Sequence, residues 1–295
     1  MSKSLSTSVC GSGKPVTYEV DGLSYAGIEW QSKGNPVVIG LHGWLDNALS
    51  YDLLAPYLSP YRVIALDLSG HGLSSWRSQD ATYNIWDDIP QLVAVVDQIA
   101  SGPVIIMGHS RGAAIATILA SILGARCSHL VLIDGLINAF NDDKNTVDQL
   151  SRFVADRQKY LAREARFFES LDDFVVRRRA FGFDDGSALK LAPRALEQSS
   201  EGFRLRSDPR LHGASALWLS EAQRDEIYAE VTVPVLGICA SEGLFTRSGV
   251  PEKMLTEAKR YFRQFDCIHH AGSHHLHMDA VHAASLADKI KSFLM

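Results

Sequence analysis

The sequence predicts an open, mostly parallel α/β sheet. Two observations carry that class. Short apolar runs without alternation recur along the chain: PVVIGL (36–41), RVIALDL (62–68), PVIIMG (103–108), HLVLID (129–134) and VPVLGICA (233–240), with FDCIHH (265–270) as a last candidate. Runs of this length suit strands covered on both faces, which parallel sheets require. Between them lie helical patterns. Ile85, Ile89, Leu92, Val96 and Ile99 recur at three- and four-residue steps, and so do Ala283, Leu286, Ala287, Ile290, Phe293 and Leu294.

The order of elements follows from these signals. Val16 to Val20 and Leu23 to Trp30 read as a leading hairpin around Asp21-Gly22. Strand–helix alternation then runs from residue 36 to about 135 and resumes near 230. The segment 138–228 breaks the pattern. It contains no convincing buried strand and shows helical spacing in parts, as at Leu150, Phe153, Val154 and Leu161. It reads as a helical insertion, expected to cap a site because ligands bind at the carboxyl ends of parallel strands. The expected organisation is a polar, flexible N-terminus over 1–15, a core over 16–137 and 229–295, and a helical cap over 138–228. RRR at 177–179 reads as a solvated helix face.

Composition narrows the function. The chain has 295 residues, 46% hydrophobic and 21% charged, with a formal net charge of −5. That is long enough for a large core and argues against disorder. The acidic balance makes nucleic acid an unexpected partner. No apolar run reaches the roughly 18 residues of a membrane span, so stable membrane insertion is not expected. The first residues, MSKSLSTSVCGSGKP, lack the apolar core of a secretory signal. Cys10, Cys127, Cys239 and Cys267 form no CxxC pair, and the last three read as reduced core thiols. A cytoplasmic setting is the default expectation.

The sharpest motif is Gly108-His109-Ser110-Arg111-Gly112. A G-x-S-x-G string alone is weak, arising by chance roughly one time in ten in a chain this long. Here it joins the strand ending at Met107 to a small-residue helix starting at Gly112, which is the setting of a nucleophile elbow. A serine needs a base to take its proton. Six histidines crowd the tail. His274 follows Ala271-Gly272-Ser273, after a candidate strand and before the final helix, and is the favoured base, with His275 second. A His-His-x-His metal cluster is the weaker reading, since it lacks a framed carboxylate or cysteine partner.

Two acids satisfy the order Ser, acid, His. Asp134 ends its strand directly; Glu242 follows the strand VPVLGICA in a turn with Gly243. Asp134 is favoured and Glu242 stays open. Oxyanion donors are expected from the amides of Arg111 and Trp44, the latter in the loop Leu41-His42-Gly43-Trp44. Gly43 and His109 are expected beside the substrate. His42 reads as a structural hydrogen-bonder, Asp46 as a cap of the next helix and Asp67 to Gly72 as a structural loop. The Arg111 side chain is expected to pair with an acid of the cap, with a carboxylate-bearing substrate as the alternative. Trp44, Phe140, Phe153, Phe167, Phe168 and Trp218 are candidates for cap core or an acyl pocket.

Taken together, these residues resemble the α/β-hydrolase superfamily. HGW at 42–44, DLSGHGLSS at 67–75, GHSRG at 108–112 and GSHHLHMD at 272–279 match its motifs in order and spacing. Within it, HGWLDN (42–47), GFRLRSDPRL (202–211) and ICASEGLF (238–245) look like the serine hydrolase-like proteins. The resemblance implies an eight-stranded sheet flanked by helices, with Ser110 as nucleophile, His274 as base, and the Trp44 and Arg111 amides as oxyanion donors. It implies no cofactor. One departure stands out: most members carry the catalytic Asp where this chain has Gly243, while some relatives place it after the preceding strand, at the position of Asp134.

A serine nucleophile implies an acyl-enzyme route on a small-molecule acyl substrate, with a carboxylic ester the first expectation and a thioester the next. The alternatives are a C–C hydrolase, lyase or perhydrolase reaction on the same scaffold, or a non-catalytic binding module. A monomer or homodimer is equally compatible with the final helix.

Overall fold

The computed structural model describes residues 13–33, 35–138, 145–246 and 250–295. The leading hairpin forms, and its first strand begins two residues earlier than expected, taking in Lys14 and Pro15 from the segment read as flexible. Strands β1 (Lys14–Val20) and β2 (Leu23–Trp30) pair antiparallel, with Val20 opposite Leu23. Both turn residues, Asp21 and Gly22, have positive φ, the geometry of a two-residue hairpin.

Each predicted apolar run becomes a strand: β3 (Val37–Leu41), β4 (Arg62–Leu66), β5 (Val104–His109), β6 (Cys127–Ile133), β10 (Val235–Glu242) and β11 (Phe265–Ser273). Three short strands, given below, complete the numbering. The main sheet has eight strands among the described residues, in the order β1-β2-β4-β3-β5-β6-β10-β11. β2 and β4 pair antiparallel; from β4 to β11 every pairing is parallel.

The strands read as unbroken apolar runs because both faces are covered. Ile39, Leu41, Ile64, Leu66 and Ile106 face one apolar layer, with the helices α1 (Ile89–Ile99) and α2 (Arg111–Leu123). Val38, Val63, Ala65, Ile105 and Met107 face the other, with Leu54, Leu58 and the last helix, α8 (Ala283–Leu294). Each fully buried Leu or Ile there contributes about 1.5–3 kcal/mol. α1 starts four residues later than its apolar spacing suggests. Residues 85–88 are turns, and Pro90 suits the first helical turn that follows.

The segment between β6 and β10 holds α3 (Thr146–Leu161), α4 (Leu171–Arg179), α5 (Asp185–Ala195) and α6 (Glu221–Glu230). It is not purely helical. β7 (Phe167–Phe168), β8 (Leu196–Gln198) and β9 (Phe203–Leu205) form a small antiparallel sheet in the order β7-β9-β8. Strands of two or three residues are too short to show a period, so the sequence hides them. α6 lies against the body: its Tyr228 belongs to the apolar layer that holds α2, and α7 (Val250–Tyr261) follows β10.

Polar contacts fasten this segment to loops at the carboxyl edge of the sheet. Arg194 donates to Asp67, after β4, at 2.7 Å. Asn47, after β3, donates to the Leu191 carbonyl at 3.0 Å. The Trp76 indole donates to the Arg206 carbonyl at 2.8 Å. No described helix is long and apolar enough to cross a membrane.

Candidate active site

Ser110 sits in the turn between β5 and α2 with φ 51° and ψ −119°. A non-glycine residue avoids that region unless its surroundings force it there. The flanking glycines show what does the forcing. A Cβ on Gly108 would lie 2.3 Å from the Gly112 carbonyl oxygen, and one on Gly112 would lie 2.2 Å from that of Leu41. The turn is therefore closed against itself and against β3. Ser110 is the half-buried residue at its tip.

His274 lies just past β11. Its Nε2 is 3.0 Å from Ser110 Oγ and its Nδ1 is 2.6 Å from Asp134 Oδ2. Asp134 follows β6 directly and is fully buried. Its carboxylate also accepts the amides of Ala240 at 3.0 Å and Leu244 at 2.8 Å. An acceptor-only carboxylate fixes the imidazole with a proton on Nδ1, leaving Nε2 to accept from the serine hydroxyl. Burial holds the His274 pKa below its usual range, against the raising pull of Asp134. Glu242 is brought elsewhere: it is exposed at the end of β10, opposite Ser273. His275, the second candidate base, is buried and stacks on Phe183 at 3.6 Å; burial pushes its pKa down to about 3.

The loop after β3 is held from behind by two histidines. His42 Nδ1 donates to the Gly43 carbonyl at 2.7 Å, and its Nε2 accepts the Leu68 amide at 3.0 Å. His71 Nδ1 donates to the Ser69 carbonyl, and its Nε2 accepts the Leu45 amide at 3.2 Å. The loop from Asp67 to Gly72 is thus a brace, with Asp67 accepting the amides of Ala48 and Leu73 at 2.7 Å each. Among the described residues, the amides of Trp44 and Arg111 have no protein acceptor.

Five expectations need correction. Asp46 caps nothing: Asn47 caps the following turn, and Asp46 is buried in an ion pair with Arg178 at 2.6 Å. Burial alone would raise the Asp46 pKa; the His109 ring and Arg178 outweigh it and hold the carboxyl below its usual range. Arg178 is accordingly not part of a solvated arginine face but points inward from α4. His109 is fully buried rather than facing a substrate, and its Nε2 donates to the His274 carbonyl at 2.9 Å. Gly43 is buried too: a Cβ there would lie 2.9 Å from both Asp46 Oδ2 and His109 Nδ1. Arg111 has no acidic partner on α3 to α5 among the described residues; its guanidinium donates to the Tyr83 carbonyl. The connection Arg178–Asp46–His109 joins the inserted segment to the His274 loop, and no motif signalled it.

The aromatic candidates divide. Phe168 packs in a small core with Phe174 and Phe203; Phe167, Trp44 and Trp218 are exposed; Phe140 lies outside the described residues. Nitrogens of His109, His274 and His275 come within 4.8 Å of one another, the nearest approach to a metal-binding group among the described residues. Both His274 nitrogens are already engaged, by Ser110 and Asp134, and no carboxylate or thiolate completes the set. Cys239 and Cys267 are free thiols with sulfurs 3.3 Å apart.

Residues 36–280 match the family model described as the alpha/beta hydrolase fold. The chain is 26% identical to a serine hydrolase-like protein of Dictyostelium discoideum over 278 residues, 90% of this chain and 77% of that one. It superposes on the crystal structure of a hypothetical protein of Pseudomonas aeruginosa PAO1 with TM-score 0.87 and 30% identity, over 95% of this chain and 99% of that one. It superposes on the thioesterase domain from the curacin biosynthetic pathway with TM-score 0.82 and 26% identity, over 96% of this chain and 100% of that one. Sheet order, serine turn and family match agree: the chain belongs to the α/β-hydrolase fold family and resembles its serine hydrolase-like members.

Proposed function

We propose that this chain is a serine hydrolase cleaving a carboxylic ester, or a thioester, through an acyl-enzyme on Ser110. One observation carries the reading: the unbroken hydrogen-bonded chain Asp134–His274–Ser110, with the serine at the tip of a strained turn. His274 Nε2 takes the hydroxyl proton as Ser110 Oγ attacks the carbonyl carbon. Asp134 stabilises the imidazolium that forms. The developing oxyanion is received by the amides of Trp44 and Arg111, which lack protein acceptors. His274 then protonates the leaving oxygen or sulfur, and afterwards takes a proton from the water that releases the acyl group. The relatives named as serine hydrolase-like and as a thioesterase favour acyl transfer over the C–C and perhydrolase alternatives. In this reading the segment between β6 and β10 caps the site, as its anchors to Asp46 and Asp67 favour.

Intact-mass labelling with a fluorophosphonate tests the proposal. One adduct on the wild-type chain, lost in Ser110→Ala, is expected. A wild-type chain that takes no adduct and turns over no ester in an ester and thioester panel returns the site to a binding role.

A further inference from the structure

A cavity of about 150 Å³ opens between α3, α4 and the turn at Pro209 to His212. Its charges do not balance. Arg163, Arg166, Arg177 and Arg178 line it, with Glu164 as the one acidic lining residue. Arg178 is committed to Asp46. Among the described residues the other three guanidinium groups have no ion-pair partner, in a chain whose overall charge is negative.

The cations converge. The Arg177 guanidinium stands 5.0 Å above the Phe181 ring. Burial, then the charges of Arg163, Arg177 and Arg166, push the His212 imidazole below its usual pKa range, so that the ring is neutral beside them. The walls between them are apolar and aromatic: Tyr160, Phe168, Phe174 and Phe181. One end of the cavity abuts the loop after β3. Leu45 lines it, and the Trp44 indole meets Phe181 at 5.8 Å and His212 at 5.3 Å.

We propose that this cavity is an anion-recognising subsite, and that the acyl substrate carries a phosphate- or carboxylate-class group remote from its scissile carbonyl. The anion sits among Arg163, Arg166 and Arg177, and an apolar stem runs past Phe181 towards Trp44. Three unpaired guanidinium groups against one carboxylate suit a dianion better than a monoanion, because each presents a planar fork to two oxygens. The proposal rests on the reading of Ser110 as the nucleophile.

The test separates the two. Binding to the Ser110→Ala protein, which turns nothing over, is measured by calorimetry for three ethyl esters with the same three-methylene spacer: monoethyl glutarate, the ethyl ester of 4-phosphonobutanoate and neutral diethyl glutarate. The phosphonate ester is expected to bind about tenfold tighter than the neutral one, or more, the worth of a charge-assisted hydrogen bond. Adding Arg166→Gln with Arg177→Gln collapses that ratio towards one. Adding Arg152→Gln with Arg260→Gln removes the same charge from exposed positions off the cavity and keeps the ratio. A carboxylate ester that outbinds the phosphonate assigns the subsite to carboxylates. Equal binding of charged and neutral esters, or equal loss in both pairs of variants, overturns the subsite. The hydrolase reading is tested separately on the wild-type chain: preference with neither a fluorophosphonate adduct nor turnover in the ester and thioester panel overturns that reading and leaves the subsite standing.

Discussion

A Cβ on Gly243 would lie 2.2 Å from Asp134 Oδ2, so the two positions compete for one carboxylate-sized space beside His274. That explains the departure seen in the sequence. With Asp134 at the end of β6, the position after β10 has no room for a side chain.

Asp134→Asn is expected to lower kcat by about four orders of magnitude, because an amide favours the wrong imidazole tautomer. Glu242→Gln is expected to stay within about twofold, as Glu242 is exposed and unconnected to His274. Gly243→Asp alone forces two carboxylates together and should be nearly inactive. Combined with Asp134→Gly, it should recover at least about a hundredfold over Asp134→Asn. Steady-state kinetics on an aryl ester decide this; no recovery in the double variant sinks the shared-space account.

The turn at Ser110 is held by close backbone approach rather than by side-chain packing. Gly108→Ala must displace the Gly112 backbone, and Gly112→Ala that of Leu41. Each is expected to cost about 1–3 kcal/mol, as overpacking does, and to abolish fluorophosphonate labelling even in the fraction that stays folded. Urea unfolding monitored beside labelling checks both; an Ala variant with unchanged midpoint and labelling refutes the close-approach argument.

Much of this was legible in the string. Apolar runs such as PVIIMG announce strands covered on both faces, and Gly108 with Gly112 announce a turn that must close. The reason for ranking Asp134 above Glu242 does not hold, because β10 runs on through Glu242 and both acids stand at a strand end; burial and the contact with His274 separate them, and neither is written in the string. What stayed hidden depends on contacts between distant segments. Arg178 is 132 residues from Asp46, and its neighbours Arg177 and Arg179 make it look like surface charge. His109 lies inside the motif, yet nothing local says that it faces the His274 carbonyl. The strands of the small sheet are shorter than any period can show.

The pH profile follows from His274. Its pKa is lowered by burial, and the base acts when neutral. Activity should therefore be flat above neutrality and fall on acidification with a midpoint below the ordinary value of about 6.5. Asp134 opposes that lowering, so residual activity of Asp134→Asn should show its acid limb at still lower pH. The profile of kcat/KM against pH reads this in the free enzyme; a wild-type limb above 7 would mean that burial does not govern the base.

The ion pair between Arg178 and Asp46 ties α4 to the loop carrying Trp44, and Asp46 lies 3.7 Å from His109 Nδ1. Removing one partner strands a buried charge, at a cost of about 3–5 kcal/mol. Arg178→Ala should therefore lower the unfolding midpoint strongly. Arg178→Met with Asp46→Leu removes both charges, and should recover much of that stability because no buried charge is left alone. Activity should not follow stability. With Asp46 gone, the buried His109 ring loses its neighbour, and the loop bearing the Trp44 amide loses its tether to α4. The double variant is then expected to keep a low kcat with little change in KM, the signature of an interaction used in the transition state. Denaturant titration and steady-state kinetics on the same samples separate the two. If kcat recovers together with stability, the ion pair serves folding alone and does not position the oxyanion loop.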